Sequence, residues 1–255
     1  MSSLFVTRAG NLDEGRPPVV LLHGFGASHR AWDMVVAELG ERLPLLLYDL
    51  PGHAGSLAHP GTGHAVTAAR AVGADLAERA PDGFHLVGHS MGGAAAALIA
   101  LKAPQATCSL TLLSPGGFGP EINHRLLTRY AAATEADELR LLLEQFYGWR
   151  NPVPEAVIEE LVAERKAPGA SRALKEIGAT LSEDGRQKML PIDAIAGLAC
   201  PIKVVWGTQD RVLPTRQAHK LPGRIAVHVF EDVGHMLPHE IPAEAAALIV
   251  ENARG

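Results

Sequence analysis

The chain has 255 residues, 47% hydrophobic and 20% charged, with a formal net charge of −5. That length suits one large α/β domain with a sizeable core and is too short for two full domains plus linkers. The acidic balance gives no basic footprint for nucleic acid. No run approaches the ~20 apolar residues needed to span a bilayer, and residues 1–10 lack a signal peptide's basic start and apolar core. A cytoplasmic location is therefore expected, with neither nucleic acid nor membrane as a partner.

Leu4 to Thr7 reads as a short edge strand and Asn11 to Pro18 as a turn. Val19-Val20-Leu21-Leu22 is a continuous apolar run, the pattern of a strand covered on both faces. It ends in His23-Gly24-Phe25-Gly26, where small residues let a loop pass close to a neighbouring side chain and present the Phe25 N–H. The bland alternative is a plain glycine turn. Ser28 suits the N-cap of a helix through Trp32, Val35 and Leu39. Leu43 to Tyr48 is the next strand, and the Asp49-Leu50-Pro51-Gly52-His53-Ala54-Gly55-Ser56 turn is expected to shape the sheet edge. His64 to Ala80 has helical spacing and is stopped by Pro81-Asp82-Gly83.

The apolar run Phe84 to Val87, with His85 inside it, leads into Gly88-His89-Ser90-Met91-Gly92-Gly93 and then the helical Ala94 to Ala100. That is a strand, a sharp turn and a helix, with a serine at the tip. So tight a turn brings the helix against the strand, where Cβ atoms at Gly88 and Gly92 would clash. It also aims backbone N–H groups, that of Met91 included, at a position where an oxyanion can be stabilised. The alternative is a glycine-rich turn with an incidental serine. Pro104 closes the helix, and Ser109 to Leu113 forms the following strand.

From Ser114 the alternation breaks, and about seventy residues of helical pattern follow. Leu126, Tyr130, Leu139, Leu142, Leu143 and Phe146 supply apolar faces, continued by Val157, Leu161, Leu174, Ile177 and Leu181. The reading is about four helices between two sheet strands: residues 1–114 and 199–255 form the core, and 115–198 a helical lid that excludes water. A second helical layer with no role in substrate choice is the alternative. The sheet resumes at Ile202 to Gly207. A short helix at Pro214 to Lys220, a last strand at Ile225 to Phe230 and a helix from Pro242 to Glu251 complete the chain. Cys108 and Cys200 read as buried thiols. The 12 histidines show no metal-ligand spacing, and neither a metal nor an organic cofactor is implied.

A serine hydroxyl is a poor nucleophile at neutral pH. It needs a base to take its proton, and the base needs a partner to fix its tautomer. Ser90, Asp210 and His235 each stand just past a strand end, and strand carboxyl ends in an open α/β sheet face one crevice. These three are the expected catalytic residues, with the N–H groups of Phe25 and Met91 as the oxyanion hole. Asp210 beside Arg211 could instead form a surface ion pair. Asp232 is a competing acid but fits a turn better. His89, His228 and His239 compete with His235, and His23 fits a structural role beneath the oxyanion loop.

These residues carry a resemblance. The chain resembles the α/β-hydrolase superfamily from Val19 to the last helix, through His23-Gly24-Phe25-Gly26, Asp49-Leu50-Pro51-Gly52-His53, Gly88-His89-Ser90-Met91-Gly92-Gly93, Trp206-Gly207-Thr208-Gln209-Asp210 and Gly234-His235-Met236. Family members often carry glycine where Ala54 stands. More narrowly, the run from Leu113-Ser114-Pro115-Gly116-Gly117 through Asn123 is similar to the hydrolase-like C-terminal domain of the acetyltransferase component of acetoin dehydrogenase complexes. A weaker match continues to Gly185-Arg186-Gln187. Those proteins carry an N-terminal lipoyl domain. The segment before Val19 is too short for one, so no lipoyl lysine is expected in cis. The resemblance implies the α/β-hydrolase fold: a mostly parallel sheet flanked by helices, with a lid inserted between two strands.

The function expected is that of a carboxylesterase-like serine hydrolase, cleaving a small ester, thioester or similar acyl substrate through an acyl-enzyme. Three alternatives share the scaffold: carbon–carbon bond hydrolysis in aromatic degradation, acyl transfer to a lipoyl carrier on another chain, and a non-catalytic ligand receptor. Haloalkane dehalogenases and epoxide hydrolases need a carboxylate where Ser90 stands. Phe118, Tyr130, Phe146, Tyr147 and Trp149 are the bulky insert residues from which a pocket wall would be drawn.

Overall fold

A computed structural model describes residues 4–11, 15–61 and 63–254. In chain order the elements are β1 (Val6–Gly10), β2 (Val19–Leu22), α1 (Asp33–Leu39), β3 (Pro44–Tyr48), α2 (Ala65–Arg79), β4 (Phe84–His89), α3 (Met91–Lys102) and β5 (Thr107–Leu113). Then come α4 (His124–Ala132), α5 (Ala136–Leu143), α6 (Glu155–Arg165), α7 (Ala170–Thr180), α8 (Ile192–Ala196), β6 (Ile202–Gly207), β7 (Ala226–Phe230), α9 (Leu237–Glu240) and α10 (Pro242–Arg254). Among the described residues, seven strands form one sheet in the order β1-β3-β2-β4-β5-β6-β7. β1 runs antiparallel to β3, and the other pairs are parallel.

The continuous apolar strands are explained by their two covered faces. Side chains alternate across a sheet, so Val20, Leu22, Leu86 and Val204 join one core cluster while Val19, Leu21, Val87 and Val205 join the other. The first is covered by Val72 and Leu76 of α2 and Ile99 of α3. The second is covered by Val35 and Leu39 of α1 and by Ala245 and Ile249 of α10. Helices α4 to α8 occupy the stretch between β5 and β6, and their Leu126, Leu139, Ile158, Ile177 and Ile195 extend the first cluster. No helix among the described residues is long and apolar enough to cross a membrane.

Several boundaries move, each for a local reason. The edge strand begins at Val6, not Leu4. The Phe5 N–H donates to Ser56 Oγ at 2.8 Å and the Phe5 carbonyl accepts from Asp49 N–H at 3.1 Å, so this residue is held by the turn after β3. The helix expected from Ser28 is split into a 3-10 turn at His29–Trp32, capped by Ser28, and then α1. The Pro214 to Lys220 segment forms only a 3-10 turn at Thr215–Ala218. Part of the expected Asn11 to Pro18 turn, residues 12–14, lies outside the described residues. Cys108 and Cys200 are free thiols, half-buried where full burial was expected.

Candidate active site

The six parallel strands from β2 onward end at one side of the sheet, and the chain leaves them there in short turns. The tightest follows β4. Ser90 sits at φ +54°, a left-handed backbone that a side chain rarely adopts. Its N–H donates to the Leu113 carbonyl at 3.0 Å, and its carbonyl accepts from Gly116 N–H at 2.9 Å. The strained residue is thus clamped by β5 and the loop beyond it. A Cβ at Gly88 would lie 2.3 Å from the Gly92 carbonyl oxygen, and one at Gly92 2.2 Å from that of Leu22. The expected clash at both glycines is real. Met91 opens α3, so its N–H has no acceptor within the helix.

The loop after β2 is held by two neutral histidines. His23 Nδ1 donates to the Gly24 carbonyl at 2.7 Å, and its Nε2 accepts from Leu50 N–H at 2.9 Å. His53 Nε2 accepts from Gly26 N–H at 3.0 Å. Burial lowers both imidazoles, His53 to about 3, so each keeps one donor and one acceptor nitrogen. From the insert, Tyr130 donates its hydroxyl to the Gly26 carbonyl at 2.9 Å. Phe25, the expected oxyanion donor, lies between these fixed glycines. Asp49 plays a structural part. Its carboxylate accepts from His29 N–H at 2.7 Å, His29 Nδ1 at 2.8 Å and Gly55 N–H at 2.9 Å. It organises the turn after β3, as its position suggested.

Asp210 and His235 meet. His235 Nδ1 donates to Asp210 Oδ2 at 2.8 Å, with both side chains almost fully buried. Asp210 is oriented by three further donors: Trp206 Nε1 at 3.1 Å, Val212 N–H at 2.9 Å and Leu213 N–H at 2.8 Å. With Nδ1 as donor, the neutral imidazole carries its lone pair on Nε2, the form a general base needs. The surface-pair alternative fails, because Arg211 donates to the carbonyls of Glu144 and Tyr147 in the insert. Asp232, at φ +60°, serves its turn by accepting from Gln209 Nε2 at 2.7 Å.

His235 is also fixed through its backbone. Its N–H donates to the Phe146 carbonyl at 2.6 Å, and its carbonyl accepts from His89 Nε2 at 2.8 Å. Burial first, then the neighbouring His235, push His89 well below the usual histidine range. His89 is therefore a neutral clamp between elbow and histidine turn. His239 is lowered to about 4 by burial and bonds the Tyr147 hydroxyl through Nδ1 at 2.5 Å. His228 lies within β7. One important group was missed in the sequence: Glu240. Its carboxylate accepts from Gly234 N–H at 2.9 Å and Met236 N–H at 3.0 Å, the residues flanking His235. It also accepts from Gly148 N–H and Asn151 Nδ2, each at 2.7 Å. A carboxylate five residues after the histidine was the available signal.

Ser90 borders two cavities, of about 450 Å³ and about 60 Å³, and His235 lines the second. Of the expected wall residues, Tyr130 and Phe146 line the smaller cavity. Phe118 and Tyr147 are buried in the core, and Trp149 is 77% exposed. The insert packs closely on the histidine turn: a Cβ at Gly234 would lie 2.5 Å from backbone atoms of Phe146, Tyr147 and Gly148. Close approach, not turn dihedrals, explains this glycine.

A serine on a strand-to-helix elbow and a histidine–aspartate pair, converging at the strand ends of a mostly parallel sheet, define the class. The pattern of the alpha/beta hydrolase family matches residues 19–248, and the chain belongs to that family. It is 31% identical over 241 residues to the dihydrolipoyllysine-residue acetyltransferase component of the acetoin cleaving system of Cupriavidus necator, covering 94% of this chain and 64% of that protein. The chain thus spans less than two thirds of that relative's length. It is 30% identical to the monoacylglycerol lipase ABHD6 of Rattus norvegicus, over 92% of this chain and 75% of the lipase. Among solved structures, the meta-cleavage product hydrolase CumD of Pseudomonas fluorescens IP01 superposes with a TM-score of 0.84 at 19% identity, covering 98% of this chain and 94% of that one.

Proposed function

We propose that the protein is a serine hydrolase of carboxylic esters or thioesters, with Ser90 as nucleophile, His235 as general base and acid, and Asp210 as the group that orients His235. The observation that carries this is the 2.8 Å Asp210–His235 hydrogen bond beside a cavity that His235 shares with Ser90. In the first step Ser90 Oγ attacks the carbonyl carbon while His235 Nε2 takes the hydroxyl proton. Charge developing on the carbonyl oxygen is met by the N–H groups of Phe25 and Met91. Collapse breaks the bond to the leaving group, which receives the proton from His235. Water, deprotonated by the same imidazole, then releases the acid and regenerates Ser90. Residues 115–198 act as the lid over this chemistry.

Ser90→Ala is the decisive variant. It is expected to lose all but about 0.1% of ester turnover while keeping the wild-type circular dichroism spectrum. A fluorophosphonate should label the wild type at Ser90 and leave the variant unlabelled. Undiminished turnover of p-nitrophenyl acetate by the variant would refute the proposal. The acetoin-system relative favours one second reading, acyl transfer to a dihydrolipoyl group on another chain. Acetyl transfer to dihydrolipoamide outrunning hydrolysis would select it.

A further inference from the structure

The two cavities at Ser90 differ in more than size. Phe25, Ser90 and Leu127 line both, so the spaces meet at the reacting hydroxyl. Met91, Ala94, Leu98, Ile122, Leu190 and Leu213 give the larger one an apolar wall. It reaches the surface beside Val66 of α2 and Thr180 of α7, both exposed. The smaller is narrowed by Phe146 and Leu161, and has the exposed Arg30 and the polar Glu160 at its edge. His235 faces the smaller cavity and not the larger.

That asymmetry orients a substrate. The imidazole must hand its proton to the departing oxygen as the carbonyl C–O bond breaks. The alcohol therefore leaves on the side of His235, in the smaller cavity. The acyl chain lies on the opposite side, where Met91 opens α3. We propose that the preferred substrates pair a long unbranched acyl chain with a short alcohol such as methanol or ethanol. This rests on the serine-hydrolase reading above.

The volumes set the limits. The larger cavity, about 450 Å³, has several times the room of the smaller, about 60 Å³, so the longer group of the ester belongs in the larger. Each methylene buried in the larger cavity should raise kcat/KM about fourfold until the chain reaches the mouth. When the alcohol departs, water enters the space it vacates. His235 takes a proton from that water as its oxygen attacks the acyl carbon. The proton passes to Ser90 Oγ as the acyl-enzyme bond breaks, and the carboxylic acid leaves.

Two isomers test the division directly. Methyl octanoate and heptyl acetate share one formula, and differ only in which side of the carbonyl carries the chain. Followed by pH-stat titration, methyl octanoate should show the higher kcat/KM by about tenfold or more. Leu98→Trp should reduce that ratio by filling the larger cavity, and Leu161→Ala should reduce it by widening the smaller. Equal or inverted rates for the two isomers in the wild type overturn the division and leave the hydrolase reading standing. A wild type that cleaves neither isomer overturns the preference; if a fluorophosphonate also fails to label Ser90, the hydrolase reading falls with it.

Discussion

Glu240 accepts four hydrogen bonds, two from the residues on either side of His235 and two from the Gly148–Asn151 segment of the insert. Replacing the carboxylate by an amide turns one acceptor into a donor facing N–H groups, so part of this arrangement must open. The histidine turn would then lose its register against Ser90, and a misplacement of about 1 Å costs up to about a hundredfold in rate. Glu240→Gln is therefore expected to lower kcat for an ester substrate by about tenfold or more while KM moves less than about threefold. A variant with a lower Tm but wild-type kcat would show Glu240 to be a stability residue only. That Ser90, Asp210 and His235 stand just past strand ends could be read from the sequence, because those ends follow from hydrophobic runs. Glu240 could not. A glutamate ahead of a proline-started helix reads as an ordinary acidic residue near a helix N-terminus, and nothing local announces that two of its four partners, Gly148 and Asn151, come from about ninety residues away.

At the scale of elements, the elbow is built by a missing side chain. A methyl group at Gly92 would meet the Leu22 and His23 carbonyls at 2.2 and 2.4 Å, and backbone cannot yield as a flexible side chain can. Gly92→Ala should cost about 3 kcal/mol or more, read as a loss of soluble protein or a Tm about 6–12 °C lower. A second element, α6, carries a pH dependence. Burial foremost, then the charges of Glu160 and Asp49, raise the Glu164 carboxyl to about 7, against the opposing Ser28 hydrogen bond and His29. The folded state thus holds this proton more tightly than the unfolded chain, and stability falls as pH rises from the ordinary 4.5 through about 7. Glu164→Gln removes that loss. Its Tm should exceed the wild type's by about 2–4 °C at pH 8, with the gap closing towards pH 5. A gap that is constant with pH would refute the assignment. The central strands were more legible than the helices here, because a short apolar run bounded by turn residues is too short for most helices. The short α8 and α9 were missed, since about one turn leaves no periodicity to detect.

Across the whole molecule, the helices between β5 and β6 are not a separate body resting on the sheet. Ile177 of α7, Leu139 of α5 and Phe146 share one continuous apolar cluster with Leu22, Leu86 and Val204 of the strands. Polar ties reinforce it: Tyr130 to Gly26, Glu160 to Ser28, Phe146 to His235, and Gly148 to Glu240. The insert was expected to hold about four helices and five are described, the short α8 being the one missed; the cavities were not legible, because their shape depends on how those helices seat on Phe25 and α3. Such continuity predicts one cooperative unfolding event. Ile177 is fully buried, so Ile177→Ala should cost about 2–5 kcal/mol and lower the midpoint of the entire protein by about 4–20 °C. Far-UV circular dichroism and the fluorescence of Trp32 and Trp206, which are buried in the sheet domain, should shift together with Trp149 of the insert. Were only the Trp149 signal displaced, with the other two tryptophans melting at the wild-type temperature, the insert would be an independent unit. A lid that opened as a rigid body during turnover would then replace the mouth between Val66 and Thr180 as the way in for substrate.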